Sequence, residues 1–356
     1  MGKDRSSANQ IPTIEDVAQR AQVSAATVSH VINGTRFVRE ETRARVVAAM
    51  EALGYRPNAL ARSLRRNTTH TLGVIVPDNS SHFFAEMAHS IEEESWRREY
   101  SVMLCNSQGD AEKEAAYIEV LLQRHVDGVI LVAAGESHEH LHRLVARRIP
   151  VVAIGYAIPE LDIDAVLVGN CQGGLLATQH LLALGHRRVA CIAGPAGAIP
   201  SIDRVAGYRQ ALSEWQVAAH EPWVVAGDFS FESGYQAAQR LLALPERPTA
   251  IFACNDSMAI GAMLAISEAG LRIPDDLSVV GFDNISIAAY TNPRLTTVEQ
   301  PHRQMAAVAA ALLVERMADW GRPVQRVLVD TSLVVRSSSG QAPLSAAHNP
   351  CPERGL

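Results

Sequence analysis

The sequence predicts an α/β body of two parallel-sheet subdomains behind a small all-α helix-turn-helix head. Three observations carry that expectation. Residues 12–57 hold three short helical periods and no strand pattern, the first two separated by a tight break. From Thr71 onward, continuous apolar runs alternate with helical stretches, as strands buried on both faces and joined by crossover helices should. Charge divides at the same place: residues 1–70 carry eleven Lys and Arg against six Asp and Glu, and their +5 against the remainder's −11 gives −6 overall.

Composition sets outer bounds. At 356 residues, 47% apolar and 20% charged, the chain is long enough for two or three units with a large core. No apolar run reaches the roughly 18 residues a membrane span needs, and MGKDRSSANQ lacks the apolar stretch of a secretion signal, so we expect a cytoplasmic protein with no membrane contact. Cys105, Cys171, Cys191, Cys254 and Cys351 are odd in number and contain no CxxC pair, which points to reduced thiols. A basic head on an acidic body implies a polyanion partner for the head. Nearly all of its positive charge is arginine, whose fork suits phosphates and guanine edges.

In the head, Thr13 with Asp16 three residues later reads as a helix start, and Ile14, Val17, Ala18 and Ala21 recur at helical spacing. Ser24 caps a second helix whose period runs through Thr27, Val28, Val31 and Ile32 to Asn33-Gly34. In a helix-turn-helix the second helix enters the major groove by its N-terminal residues. Its outward positions are Ala25, Ala26, Ser29 and His30, with Thr27 beside them. Alanine methyls can meet thymine methyls, and His30 can donate to a guanine edge. A third helix, Glu40 to Leu53, is expected to close the core with Val46, Val47, Met50 and Leu53. Arg36 and Arg39 before it suit phosphates, the alternative being ordinary surface arginines.

Residues 58–66, NALARSLRR, read as a helix of about two turns, which would be too short to be stable alone and would need a partner. Leu64 between Arg62 and Arg65 fits an apolar wedge inserted between base steps of a minor groove, the alternative being a plain linker helix. The segments IEDVAQRAQVS, ATVSHVINGTRFV and YRPNALARSLR resemble the lac-repressor family of bacterial transcription regulators, most like its purine-repressor and ribose-repressor branch. The resemblance runs in register from Ile14 to Arg336. It implies base reading by Ala25, Ala26, Thr27 and His30, insertion by Leu64 and groove or backbone contact by Arg65. Thr13, Ser24, Ser29, Arg36, Asn58, Ala61 and Arg62 are expected at the same DNA surface.

In the body, LGVIVP, VMLCN, DGVILVA, PVVAIG, AVLVG, RVACIAG, TAIFACN and LSVVGFD read as strands. Helices are expected at Phe84–Glu99, Glu112–His125, Gly174–Leu184, Met258–Ala269 and residues 302–318, and a final strand from Arg326 to Val335. The subdomain boundaries are drawn at 71–170 plus 302–326 and 171–301 plus 327–336, with tails 1–11 and 337–356 disordered. Ligands in open α/β sheets sit outside the carboxyl ends of strands. Ser80, Ser81, Phe83, Phe84, Arg204, Phe229, Asn255, Asp256, Asp283 and Gln300 follow such ends. Aromatic rings with one carboxylate, one arginine and amides suit a small polyhydroxylated ligand, although Phe83 or Phe84 could be core and Asp256 a helix cap.

NDSMAIG, GFDN and LTTVEQP resemble the same family and periplasmic ribose-type binding proteins. The likeness implies effector contacts by Phe83, Phe84, Arg204, Phe229, Asn255, Asp283 and Gln300. Ala198 and Pro200 stand where purine-sensing relatives use an arginine and a threonine, which counts against a purine. Gly155-Tyr156 replaces the usual Asp-led pair, and Glu136 is the candidate to substitute for it. His138, His140 and His142 alternate on a helical stretch where i and i+2 diverge, so no metal site is expected. No GxGxxG, GxxxxGK[ST] or GxSxG motif occurs, and neither a cofactor nor an enzyme is expected.

The expectation is a repressor that acts as a homodimer on a near-palindromic double-stranded operator and is controlled by a small effector, a sugar. The alternative is a sugar-binding or sensing module that does not regulate DNA, for which ALARSLRR would have no use.

Overall fold

A computed structural model describes residues 12–56, 68–132, 139–158 and 160–343. The chain divides by contacts between Thr69 and His70 into a small helical unit and a large α/β unit.

The helical unit has α1 (Ile14–Ala21), α2 (Ala25–Asn33) and α3 (Glu40–Leu53). Thr13 starts α1 with a full capping box: its backbone N–H donates to Asp16 Oδ2 at 2.7 Å, and its Oγ1 accepts from the Asp16 N–H at 3.3 Å. Ser24 Oγ accepts from the Thr27 N–H at 3.2 Å and starts α2. The core joins Val17, Ala18, Ala21, Val28, Val31, Val46 and Ala49. One expectation is corrected: Val47 is 43% exposed. The core-facing stripe of α3 is buried Val46 and Ala49 with partly buried Met50 and Leu53, the i, i+3, i+4, i+7 pattern of one helical face, from which Val47 is turned about 100° away.

The large unit holds two six-stranded sheets. The first contains β1 (Thr71–Val76), β2 (Ser101–Asn106), β3 (Gly128–Val132), β4 (Val151–Gly155), β5 (Asp164–Val168) and β11 (Arg326–Val329), in the order β11-β5-β4-β3-β1-β2. The second contains β6 (Val189–Ala193), β7 (Val224–Ala226), β8 (Ala250–Ala253), β9 (Ser278–Asp283), β10 (Thr296–Glu299) and β12 (Ser332–Val334), in the order β12-β10-β9-β8-β6-β7. Pairing is parallel except between β10 and β12. Crossover helices cover the faces: α4 (His82–Trp96), α5 (Ala111–Gln123), the short α6 (His142–Ala146) and α11 (His302–Ala318) on the first sheet; α7 (Asn170–Ala183), α8 (Ile199–Glu214), α9 (Phe231–Leu242) and α10 (Asp256–Glu268) on the second. The chain passes between the sheets after β5, after β10 and between β11 and β12.

Two further expectations are corrected. The single strand foreseen from Arg326 to Val335 is two strands in different sheets: Val327–Val329 pair with Val166–Val168 in the first sheet, although the sequence boundaries put them in the second subdomain. Asp330-Thr331 interrupts the ladder where the chain crosses, and an apolar run does not reveal which neighbour it joins. The tail is also ordered further than expected. Ser338 is fully buried, donates to Val279 O at 2.6 Å and accepts from the Thr296 N–H at 2.8 Å. His186 anchors the same segment, with Nε2 donating to Gly340 O at 3.1 Å and Nδ1 2.9 Å from Thr249 Oγ1. Burial lowers its pKa and keeps the ring neutral.

A buried carboxylate ties the first subdomain together. Asp164 receives Arg316 Nε at 3.0 Å, Arg322 Nη2 at 2.8 Å and the Gln325 N–H at 2.7 Å, which joins the start of β5 to α11 and to the run entering β11.

Candidate ligand cleft and nucleic-acid interface

A cavity of about 100 Å³ lies where the carboxyl ends of the two sheets face each other. The first subdomain contributes Ser81, Phe83, Phe84 and Met87 after β1, Val132 closing β3, Ile154 and Gly155 closing β4, and Met305 from α11. Opposite them stand Asn170, Pro200, Arg204, Phe229, Asn255, Asp283 and Gln300, each at or just beyond a strand end or on the helix that follows it. Eight of the eleven candidates from the sequence therefore line the cavity. Ser80 does not, its N–H and hydroxyl both donating to Asp78 Oδ1 at 2.9 and 2.7 Å, and Asp256 lies behind the wall. Glu136 lies outside the described residues, as do Asn58, Ala61, Arg62, Leu64 and Arg65.

The polar wall is organised around Arg204, which is 5% exposed. Its Nε donates to Asn170 Oδ1 at 2.9 Å, its Nη1 donates to Cys254 O at 2.5 Å, and its guanidinium lies 3.8 Å from the Phe282 ring centroid. Nη1 also stands 3.4 Å from Asp283 Oδ1, the atom that accepts from Gln300 Nε2 at 2.6 Å. Burial pushes the Asp283 carboxyl up to about 6, with Arg204 and the Gln300 hydrogen bond pulling the other way and Glu86 adding to the rise. Burial lowers Arg204 as well, yet a guanidinium remains charged.

The apolar wall is aromatic. Phe83 and Phe84 meet edge to face, 5.3 Å between centroids, and Phe229 is held by Asn255 Nδ2 donating to its carbonyl at 2.9 Å. Phe229, Asp283 and Asn284 have φ of 71°, 114° and 56°, conformations that cost non-glycine residues free energy and cluster where function fixes the backbone. Asp256 maintains that turn: its Oδ2 accepts from the Ile285 N–H at 2.9 Å and its Oδ1 from the Thr297 hydroxyl at 2.5 Å. Burial, then the neighbouring Asp283 charge, raises its pKa. The cap of α10 is Asn255, whose Oδ1 accepts from the Met258 N–H at 2.9 Å, so the alternative role for Asp256 is excluded. Across the mouth, Glu86 Oε1 accepts from the Ser286 N–H at 2.9 Å, and His82 meets Phe231 edge-on at 5.9 Å.

Sequence reasoning missed Asn170, Met87, Val132, Ile154 and Met305. The strand-end rule that found Asp283 also applies to Asn170, which follows AVLVG.

On the helical unit, Ala26, Thr13, Ser24 and Arg36 are exposed, while Thr27, Ser29 and His30 are half-buried. Ala25 is half-buried too, packed against the small core, which leaves Ala26 as the freer methyl of the pair. Ser24 Oγ and Thr27 Oγ1 lie 2.9 Å apart, Asn33 Nδ2 donates to Ser29 O at 2.8 Å, and His30 Nδ1 lies 2.8 Å from Thr35 Oγ1.

A capped helix-turn-helix on one chain with a cleft between two parallel sheets defines a DNA-binding regulator built on a periplasmic-binding-protein-like body. Residues 13–58 match bacterial regulatory proteins of the lacI family, and residues 178–339 match a periplasmic binding protein-like domain. The chain is 40% identical over 330 residues to the HTH-type transcriptional repressor PurR of Aliivibrio fischeri (strain MJ11), covering 92% of this chain and 98% of that one. It is also 40% identical over 333 residues to the PurR of Klebsiella pneumoniae (strain 342), covering 93% and 98%. Among solved structures, the lac repressor dimer bound to operator and the anti-inducer ONPF superposes with TM-score 0.84 at 29% identity, covering 93% of this chain and 100% of that one. The regulator CelR in complex with cellobiose gives 0.71 at 33%, covering 92% and 100%. The chain belongs to the lacI family and is a DNA-binding transcriptional repressor, not an enzyme. No helix among the described residues is long and apolar enough to cross a membrane.

Proposed function

We propose that this repressor acts as a homodimer on a near-palindromic operator, and that a small polyhydroxylated effector, a sugar, sets its operator affinity from the cleft. The observation that carries the effector reading is the Arg204–Asp283–Gln300 group facing Phe83, Phe84 and Phe229. A forked donor beside a carboxylate matches adjacent hydroxyls, which donate and accept at once, and the rings cover the apolar face of a sugar. Asn170 and Asn255 support the wall by holding Arg204 and Phe229. The solved relative CelR is described with cellobiose and an Enterococcus faecium relative with ribose, which agrees with this chemistry. Pro200 lines the cavity with no hydrogen-bonding side chain, which disfavours a nitrogen-rich flat base.

On the DNA side, Ala26, Thr27 and His30 read bases, Ser24, Thr13 and Arg36 meet the backbone, and Leu64 with its flanking arginines wedges the minor groove. A dimer follows from the reach of one recognition helix, which covers too few bases to specify a site alone. Effector binding closes the two subdomains on each other, and by linkage an inducer binds the DNA-free arrangement more tightly.

A thermal-shift screen of the full chain against pentoses, hexoses, sugar acids and purines tests the effector class, since a ligand of the native state raises its stability by mass action. A sugar should raise the transition. A rise with purines alone would remove the sugar reading.

A further inference from the structure

His30 lies in the last turn and a half of α2, half-buried, with ring nitrogen Nδ1 2.8 Å from the Thr35 hydroxyl oxygen. The approach depends on the turn between them. Gly34 ends the helix in the left-handed region at φ 62°, with nothing within 4 Å of where a side chain would begin. That conformation carries the chain back beside the helix and sets Thr35 against the ring. Thr35 is exposed and takes no part in the buried cluster of Val17, Val28, Val31 and Val46. The Asn33 amide nitrogen donates to Ser29 O at 2.8 Å and to Ser29 Oγ at 3.2 Å.

We propose that Thr35 is a positioning residue for base reading: its hydroxyl holds Nδ1 of His30 so that Nε2–H is directed outward as a donor to a guanine edge. The proposal rests on the reading of His30 as a base reader. In a neutral imidazole, the bond made at one nitrogen decides which nitrogen carries the proton. A hydroxyl donating to Nδ1 leaves the proton on Nε2 and restrains the ring's rotation with the same bond. Guanine presents two acceptors, N7 and O6, in the major groove. An unrestrained ring would spend part of its time with a bare Nε2 lone pair turned toward those acceptors, and discrimination would fall without loss of any DNA contact. Thr35 thus contributes to the code without touching a base.

The test uses the full chain and an operator selected from a pool of random duplexes. Affinity is measured on that operator and on a set in which each base pair is changed singly, for wild type, His30→Ala, Thr35→Val, Thr35→Ser and the double variant His30→Ala/Thr35→Val. Thr35→Val should lose preference at the base pair where His30→Ala loses it, by roughly three- to tenfold, the worth of one net hydrogen bond. Thr35→Ser should restore that preference, and the double variant should discriminate no worse than His30→Ala. Thermal unfolding of each variant confirms that the head is intact. Preference kept in Thr35→Val but lost in His30→Ala overturns the role of Thr35 and leaves His30 a reader. Uniform weakening by Thr35→Val across all duplexes reassigns Thr35 to phosphate, and failure of Thr35→Ser to rescue also overturns the proposal. Uniform weakening by His30→Ala removes the base-reading premise itself, and Thr35 with it.

Discussion

Asp283 carries two strains at once, a positive φ of 114° and a carboxyl that burial pushes up to about 6. Because its folded pKa lies above the ordinary carboxylate value, the folded chain binds a proton more tightly than the unfolded chain does. The protonated form therefore contributes stability that is complete below the unfolded pKa and is lost as pH rises through about 6. Ligand hydroxyls donating to the carboxylate favour its charged form, so effector binding should release a proton near pH 6 and tighten as pH rises from 5 to 7. Calorimetry in buffers of different ionisation enthalpy reads that proton directly. Asp283→Asn should flatten the pH dependence, and an unchanged profile would assign the titration elsewhere. At this scale the sequence revealed residues that line the cavity, such as Arg204, Phe229 and Asp283, because position beyond the strand ends of an open α/β sheet fixes their place. Met87, Val132, Ile154 and Met305 were not legible as lining residues. They are apolar residues within helices and strands, and only the placement of their neighbours decides whether they face core or cleft.

The helices of the second subdomain show what close packing demands of an element. A side-chain carbon built on Gly207 of α8 would fall 2.0 Å from Cys171 O of α7, and one on Gly174 of α7 would fall 2.2 Å from Arg204 O. Backbone rather than a movable side chain is the obstacle in both directions, so these helices pack with almost no side-chain layer between them. Gly207→Ala should force them apart and cost about 1–3 kcal/mol or more in denaturant unfolding. Arg204 lies three residues from that contact, so effector affinity should fall with it. A variant of wild-type stability would show that the helices are not held there. Strands such as LGVIVP and LSVVGFD were legible as elements because burial on both faces makes them continuously apolar. β7 and β10 did not stand out as apolar runs, although Phe229 and Gln300 were placed at their ends: β7 is three residues long and half-exposed at a sheet edge, and β10 carries Thr296 and Thr297, buried and hydrogen-bonded rather than apolar.

In the α/β unit as a whole, the chain passes between the sheets three times, and Glu86 and His82 reach across the mouth. Glu86 bonds the Ser286 N–H three residues beyond Asp283, so the residue that would hold an effector and the contact that joins the subdomains share one turn. A ligand drawn to Asp283 and to Phe83 and Phe84 would tie both sides together, and that tie is the differential affinity an allosteric effect requires. The domain order was legible in the sequence from charge and periodicity, but the crossing inside residues 326–335 was not, because one extended run serves two sheets. The claim that joins these levels is that the cleft ligand controls operator affinity through Asp283. It is tested by titrating the sugar that raises the thermal transition into the complex of full chain and operator, for wild type and Asp283→Ala. Wild-type operator affinity should change by roughly 5–150-fold, corresponding to a coupling of about 1–3 kcal/mol. Asp283→Ala should keep its ligand-free operator affinity and lose the change. An equal response in Asp283→Ala, or none in wild type, would contradict the account.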